Sequence, residues 1–196
     1  PESLKRRPPL AAGPALRCGF FGPLAAHKGA HLPIAALARL SAETPVTMDY
    51  WGALPRDDDA YATSVRDAIQ RQLRATHRGP FAPAALRDVL DGLDVLIVPS
   101  LCYENTPTVI YEALAHGIPV IASDQGGMKE LVETYRGGWL FPRGDVRALA
   151  ELIERLARDR KEVRRAAAAI APIPSLEAHL AEVLRIYGQA LRQEAT

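Results

Sequence analysis

The stretch Val95-Leu96-Ile97-Val98-Pro99-Ser100-Leu101-Cys102-Tyr103-Glu104-Asn105-Thr106-Pro107-Thr108-Val109-Ile110-Tyr111-Glu112 decides the fold. Val95 to Pro99 is apolar throughout, as a strand covered on both faces must be, so this strand is expected at the centre of a parallel sheet. Thr106 can cap a helix and Pro107 suits a first helical position, which starts a helix here with its unpaired N–H groups at residues 107 to 110 facing the strand ends. Proline has no N–H, so Thr108 and Val109 become the natural donors to an anion. Such a terminus carries about half a positive charge, worth up to about 2 kcal/mol to a partly buried anion. Ile110, Ala113 and Leu114 form the sheet-facing stripe. Glu112 lies about 200° around from Ile110, on the side of Thr108 and off the core.

The same alternation extends outward. Short apolar runs at Leu16 to Phe21, Val46 to Trp51, Pro119 to Ala122 and Trp139 to Phe141 read as strands. Amphipathic stretches at 31–40, 60–74, 83–93, 107–116, 127–134 and 145–158 read as helices. Strand and helix in alternation predict an α/β fold, a doubly wound, Rossmann-like parallel sheet occupying residues 16–172. Residues 1–15 hold four prolines and Lys5-Arg6-Arg7 and read as a linker or tail. Residues 160 to 170 form a Lys, Arg and Ala helix, and Pro172 and Pro174 then break the chain. A trailing C-terminal helix begins at about Ser175 in the segment 173–196, and its Leu176, Leu180, Val183, Leu184, Tyr187 and Leu191 share one face, which is expected to be packed.

Composition excludes several classes. Of 196 residues, 48% are hydrophobic and 24% charged, ordinary values for a globular protein. Twenty-four Lys and Arg against 23 Asp and Glu leave a formal charge of +1, so no net field gathers nucleic acid. No apolar run approaches the roughly 20 residues of a transmembrane segment. Cys18 and Cys102 do not make a disulfide framework and fit a reducing, cytoplasmic setting. The five histidines lack paired metal-ligand spacing, so no metal is expected. Asp57-Asp58-Asp59 contains an Asp-x-Asp but precedes an amphipathic helix, where acids complement the dipole; the capping reading is preferred. The chain opens Pro1-Glu2-Ser3 without an initiator Met and is expected to be a piece of something longer.

A doubly wound sheet binds ligands outside the carboxyl ends of its strands. After the first strand comes Gly22-Pro23-Leu24-Ala25-Ala26-His27-Lys28-Gly29, a glycine-bounded loop whose one lysine leads into a helix, a suitable cradle for phosphate. Neither Gly-x4-Gly-Lys-Ser/Thr nor Gly-x-Gly-x-x-Gly occurs, which argues against nucleotide hydrolases and dinucleotide dehydrogenases. A diphosphate held by Lys28 and the helix terminus, with Glu104 and Glu112 as carboxylate acceptors for paired hydroxyls, describes a nucleotide sugar. Gly126-Gly127 opens the helix holding Glu130; close approach to a ligand and an ordinary loop-to-helix turn are both open readings.

These motifs carry a resemblance. Gly22 through Lys28-Gly29, the Glu-x7-Glu of Glu104 and Glu112, Gly117-Ile118-Pro119-Val120, Ser123…Gly126-Gly127…Glu130 and Gly138-Trp139-Leu140-Phe141 together resemble the C-terminal, donor-binding domain of group 1 (family 4) retaining glycosyltransferases of GT-B architecture. The resemblance implies that Lys28 neutralises the departing diphosphate and Glu104 contacts the donor sugar, both as catalytic residues. It also implies that Glu112 binds the ribose, that the Thr108 and Val109 amides receive the diphosphate, that Gly22, Asn105 and Thr106 belong to the donor-binding site, and that the base lies near Arg78 to Phe81. It implies a nucleotide-sugar donor, no cofactor or metal, and an acceptor on an N-terminal domain absent from this chain, against which the last helix would pack. The intact protein would be cytoplasmic, peripheral at the inner membrane face. One slot departs: many members carry arginine where this chain has Pro23. A non-catalytic nucleotide-sugar binding module and a GT-B-type epimerase are the alternative readings.

Overall fold

A computed structural model describes residues 13–53 and 59–193. Six strands, β1 (Leu16–Phe21), β2 (Val46–Trp51), β3 (Ala75–Gly79), β4 (Val95–Val98), β5 (Val120–Ser123) and β6 (Gly138–Phe141), alternate with α1 (His31–Leu37), α2 (Ala60–Arg71), α3 (Leu86–Asp91), α4 (Thr108–Ala115), α5 (Gly126–Tyr135) and α6 (Val146–Arg158). Helices α7 (Arg160–Ala169) and α8 (Leu176–Gln193) follow. The strands form one sheet in the order β3-β2-β1-β4-β5-β6, and every pairing is parallel. This is the expected doubly wound, Rossmann-like sheet.

The alternation of side chains along β4 shows why its sequence is apolar throughout. Val95 and Ile97 join one buried cluster, with α1, α2 and α6; Leu96 and Val98 join the other, with α3, α4 and α5. All four are buried, as layers on both faces require. Helices α2, α6 and α7 start at acidic caps: Asp59 accepts from Ala62 N, Asp145 from Ala148 N, and Asp159 from Lys161 N and Glu162 N. The capping reading of Asp59 therefore stands, while Asp57, Asp58 and the tail through residue 12 lie outside the described residues.

Two expectations are corrected. First, β3 was not expected: Ala75-Thr76-His77-Arg78-Gly79 has no apolar period, because it is an edge strand whose burial only alternates between half-buried and exposed. Second, α4 begins one residue late. Pro107 occupies the N-cap position in extended backbone, Thr106 makes no cap, and the Ile110 N–H bonds the Pro107 carbonyl at 3.0 Å. The apolar face of α8, expected to pack against a domain absent from this chain, lies open here, with Leu180, Leu184, Tyr187 and Leu191 each more than half exposed.

Candidate functional site

The strand order reverses between β1 and β4, the chain winding outward from there in both directions, and a cavity of about 260 Å³ opens at the strands' carboxyl ends. Such a switch point is where a doubly wound sheet takes its ligand. Gly22, Pro23 and Lys28 enter it from the β1–α1 loop, Ser100, Glu104 and Thr106 from the β4–α4 loop, and Thr108 and Val109 from the first turn of α4. The two loops are laced together. The His27 carbonyl accepts from the N–H groups of Leu101 at 2.8 Å and Cys102 at 3.3 Å. Gly29 has φ +66°, and a Cβ there would collide with the Pro99 carbonyl, so only glycine lets the two loops meet beside Lys28.

At the centre, Lys28 Nζ lies 2.6 Å from Glu104 Oε1, and the same oxygen accepts from Ser100 Oγ at 2.8 Å. Burial alone would push the Glu104 carboxyl up; the hydrogen bonds from Lys28 and Ser100 and the Lys28 charge outweigh it and hold the group below the usual carboxylate range. An ammonium has three N–H donors, so Lys28 can keep Glu104 and still donate to a phosphate oxygen. The Thr108 N–H, at the open terminus of α4 with no side-chain cap, is aligned with the helix dipole.

The remaining sequence candidates sit around this centre rather than in it. Asn105 contributes backbone: its carbonyl lies against Gly127 Cα. Phe81 packs edge-on against Phe21, ring centroids 5.3 Å apart, and Phe21 packs against Trp51 at 5.6 Å. Phe21 itself lines the cavity, so Phe81 stands one ring behind it. Arg78 turns to Asp49, Nε to Oδ1 3.1 Å, and is more than half exposed. Glu112 sits one turn beyond Thr108 on the same helix face, half-buried and outside the cavity lining.

Glu112 has no side-chain partner among the described residues, and burial pushes its carboxyl up. A raised acid costs stability as pH rises through its folded value and costs nothing below its ordinary value. Glu112→Gln is therefore expected to melt above the native protein at pH 7, with the two converging below about pH 4, as read by thermal denaturation. A lower melting point for the variant at pH 7 would show that the carboxylate is paired.

Two residues at the site escape a motif reading. Ser100 looks like the end of a strand, yet it holds the Glu104 carboxylate. Gln125, only 7% exposed, donates from Nε2 to the Ser100 carbonyl at 2.7 Å and the Cys102 carbonyl at 3.0 Å. Its visible signal is a position just before a helix that lacks a capping residue type. Gly126-Gly127 do open α5 as a loop-to-helix turn, and they also allow a close approach to this chain's own loop, where Gly127 N–H donates to the Glu104 carbonyl at 2.9 Å.

Among the described residues no helix is long and apolar enough to cross a membrane. The chain is 37% identical over 83 residues to the amylovoran biosynthesis glycosyltransferase AmsK of Erwinia amylovora, the match covering 40% of this chain and 20% of that protein. It is 34% identical over 88 residues to the 2-deoxystreptamine N-acetyl-D-glucosaminyltransferase of Streptomyces fradiae, covering 45% and 21%. The fold superposes on Anabaena HepE in complex with UDP and glucose with a TM-score of 0.71 at 28% identity, over 79% of this chain and 42% of that one. Sucrose-phosphate synthase from Thermosynechococcus elongatus gives 0.72 at 27% identity, over 91% and 46%. The matched segment thus spans about a fifth of the curated relatives and under half of the solved neighbours, whose architecture is GT-B. The family described as glycosyl transferases group 1 matches residues 15–159, most of the chain, and the chain belongs to that family.

Proposed function

We propose that this chain is the donor-binding half of a retaining glycosyltransferase, which moves a hexose from a nucleoside-diphosphate sugar to an acceptor. The observation that carries the reading is the convergence of Lys28, Glu104 and the Thr108 and Val109 terminus on one cavity at the switch point. A point cation beside a helix N-terminus suits a diphosphate, and a carboxylate beside them suits sugar hydroxyls. That HepE is described in complex with UDP and glucose supports the same ligand class.

When the bond from the anomeric carbon to the phosphate oxygen breaks, its electron pair goes to the diphosphate. Lys28 and the α4 terminus meet that growing charge better than they meet the ground state, which is the electrostatic part of catalysis. The acceptor oxygen bonds the anomeric carbon from the side the diphosphate leaves, and its hydroxyl proton passes to the departing diphosphate oxygen, so configuration is retained. Charge neutralisation rests on these groups and no resident metal is invoked. Acceptor binding is assigned to an N-terminal domain, against which the open face of α8 would dock, and the enzyme is placed in the cytoplasm at the inner membrane face. One residue favours a non-catalytic binding module instead: Pro23 lines the cavity in the slot where many relatives carry arginine.

Calorimetric titration of the chain with UDP-, GDP- and ADP-glucose tests the reading. One nucleoside is expected to bind, weakly, with a dissociation constant of roughly 0.01–1 mM. No heat with any of them retires the donor site, and transfer by this chain alone overturns the assignment of the acceptor to another domain. Alanine at Lys28 or Glu104 in a protein carrying both domains separates enzyme from binding module, since full biological function with either favours the module.

A further inference from the structure

The turn between β5 and α5 is not used by the mechanism above, yet it is built around the loop that carries Glu104. Gln125 occupies the N-cap position of α5, where serine, threonine, aspartate or asparagine would ordinarily turn its side chain back to the helix. Gln125 makes no such cap. Its buried side chain reaches the other way and spends both amide protons on the carbonyls of Ser100 and Cys102. Those two acceptors fix which end of the amide is nitrogen; the oxygen, Oε1, is buried with no hydrogen-bond partner among the described residues. From the other side His27 takes the N–H groups of Leu101 and Cys102, so the backbone of residues 100 to 102 is gripped on both edges.

The two glycines complete the seat. Gly126, at φ +47°, carries the exposed Tyr103 ring on its Cα, where a Cβ would come within 3.1 Å of Cδ1. Gly127 donates to the Glu104 carbonyl and would drive a Cβ into the Asn105 carbonyl. Gln125, Gly126 and Gly127 thus each hold a different part of residues 100 to 105, while α5 goes without a cap. A helix that forgoes its cap to hold a neighbouring loop marks a place where local stability yields to another demand.

We propose that Gln125 is a positioning residue: by clamping the Ser100 and Cys102 carbonyls it fixes the loop that sets Glu104 against Lys28 and the donor sugar. The inference rests on the donor-site reading for the sugar, and on the structure alone for the Glu104–Lys28 geometry. It predicts a selective defect. Without the clamp, Glu104 wanders while Lys28 and the α4 terminus stay, so the diphosphate is still held and the sugar's added affinity is lost.

Gln125→Met keeps length and bulk and removes both donors; Gln125→Ala is the second variant. Two readouts are taken on the 196-residue chain. The first needs no ligand: the carbon-13 titration of the Glu104 carboxyl, which should move in both variants from its lowered midpoint up towards the ordinary value of 4.5. The second compares UDP-, GDP- and ADP-glucose with the matching free diphosphates; the ratio of sugar-nucleotide to free-diphosphate affinity should fall at least tenfold, with free-diphosphate affinity within about twofold of native. An unchanged Glu104 midpoint in either folded variant overturns the proposal, as does an equal loss of both affinities. Collapse of the amide spectrum of β4 in both variants also overturns it, because Gln125 would then hold the fold rather than the loop. If the native chain binds none of the nucleotides, the donor reading fails while the Glu104 titration still decides the clamp.

Discussion

Alanine at Lys28, in a transferase assembled with its acceptor domain, is expected to lower kcat by about 10²–10³, the usual cost of removing one preorganised donor from a site of developing charge. The loss should fall mainly on kcat. On the proposed reading the α4 terminus holds the diphosphate in the ground state, while the ammonium is engaged with Glu104 at 2.6 Å. In the transition state the leaving diphosphate gains charge, and a cation beside it gains most there. Removing Lys28 also strips Glu104 of its ion-pair partner, leaving Ser100 Oγ at 2.8 Å as the strongest remaining restraint on its carboxylate. The Glu104 carboxyl should therefore rise in the variant, and the acid limb of the pH–rate profile should move to higher pH with it. Steady-state kinetics with a saturating acceptor decide the matter. A kcat within about fivefold of native, or a loss confined to KM, would remove Lys28 from transition-state stabilisation.

The pairing of Lys28 with Glu104 shows where sequence reading succeeds and where it stops. Both residues stand in loops that follow apolar strands, and the rule that ligands gather at strand ends brings the two loops together without a contact being known. What no spacing reveals is that the loops are laced through the His27 carbonyl and that Gly29 is required by a backbone approach to Pro99. Those contacts join residues seventy or more positions apart, and no local pattern encodes them. Strand β4 was legible because burial on both faces leaves an unbroken apolar run. Strand β3 was not, because an edge strand with one partner can be written in polar residues. The capping of α2 was legible in Asp59, whose type announces its role. The start of α4 was misjudged by a residue because the rule that places proline first inside a helix competes with its tolerance of the extended N-cap position, and here the second wins. Gln125 was missed for the converse reason: its role depends on acceptors in a distant loop, and glutamine at that position announces nothing.

At the opposite end of the sheet, Asp94→Ala is expected to destabilise the domain by about 3–5 kcal/mol, the cost of breaking a buried ion pair by deleting one partner. Asp94 is fully buried at the start of β4. Its carboxylate accepts from the backbone N–H, Nε and Nη2 of Arg17 on β1, and from Nη2 of Arg160 at 2.6 Å. It therefore ties the amino ends of the two central strands to the first turn of α7. Arg160 Nε and Nη1 are buried without hydrogen-bond partners among the described residues, so deleting Asp94 strands a guanidinium already poorly satisfied. At roughly 2–4 °C per kcal/mol for a domain of this size, the melting point should fall by about 10 °C. Burial would raise the Asp94 carboxyl, but its hydrogen bonds to Arg17 and Arg160 hold it below its ordinary value. A lowered acid contributes stability that is fully present above its ordinary value and is lost as pH falls through the folded one. The gap between native and variant should thus be constant from pH 5 to 8 and close below about pH 4. Nucleotide affinity measured well below the melting point should be unchanged, because Asp94 and the cavity lie at opposite ends of β4. A melting-point loss under about 3 °C would mean that the two arginines relax into solvent, and a parallel loss of nucleotide affinity would mean that the amino end of the sheet positions the site at its carboxyl end.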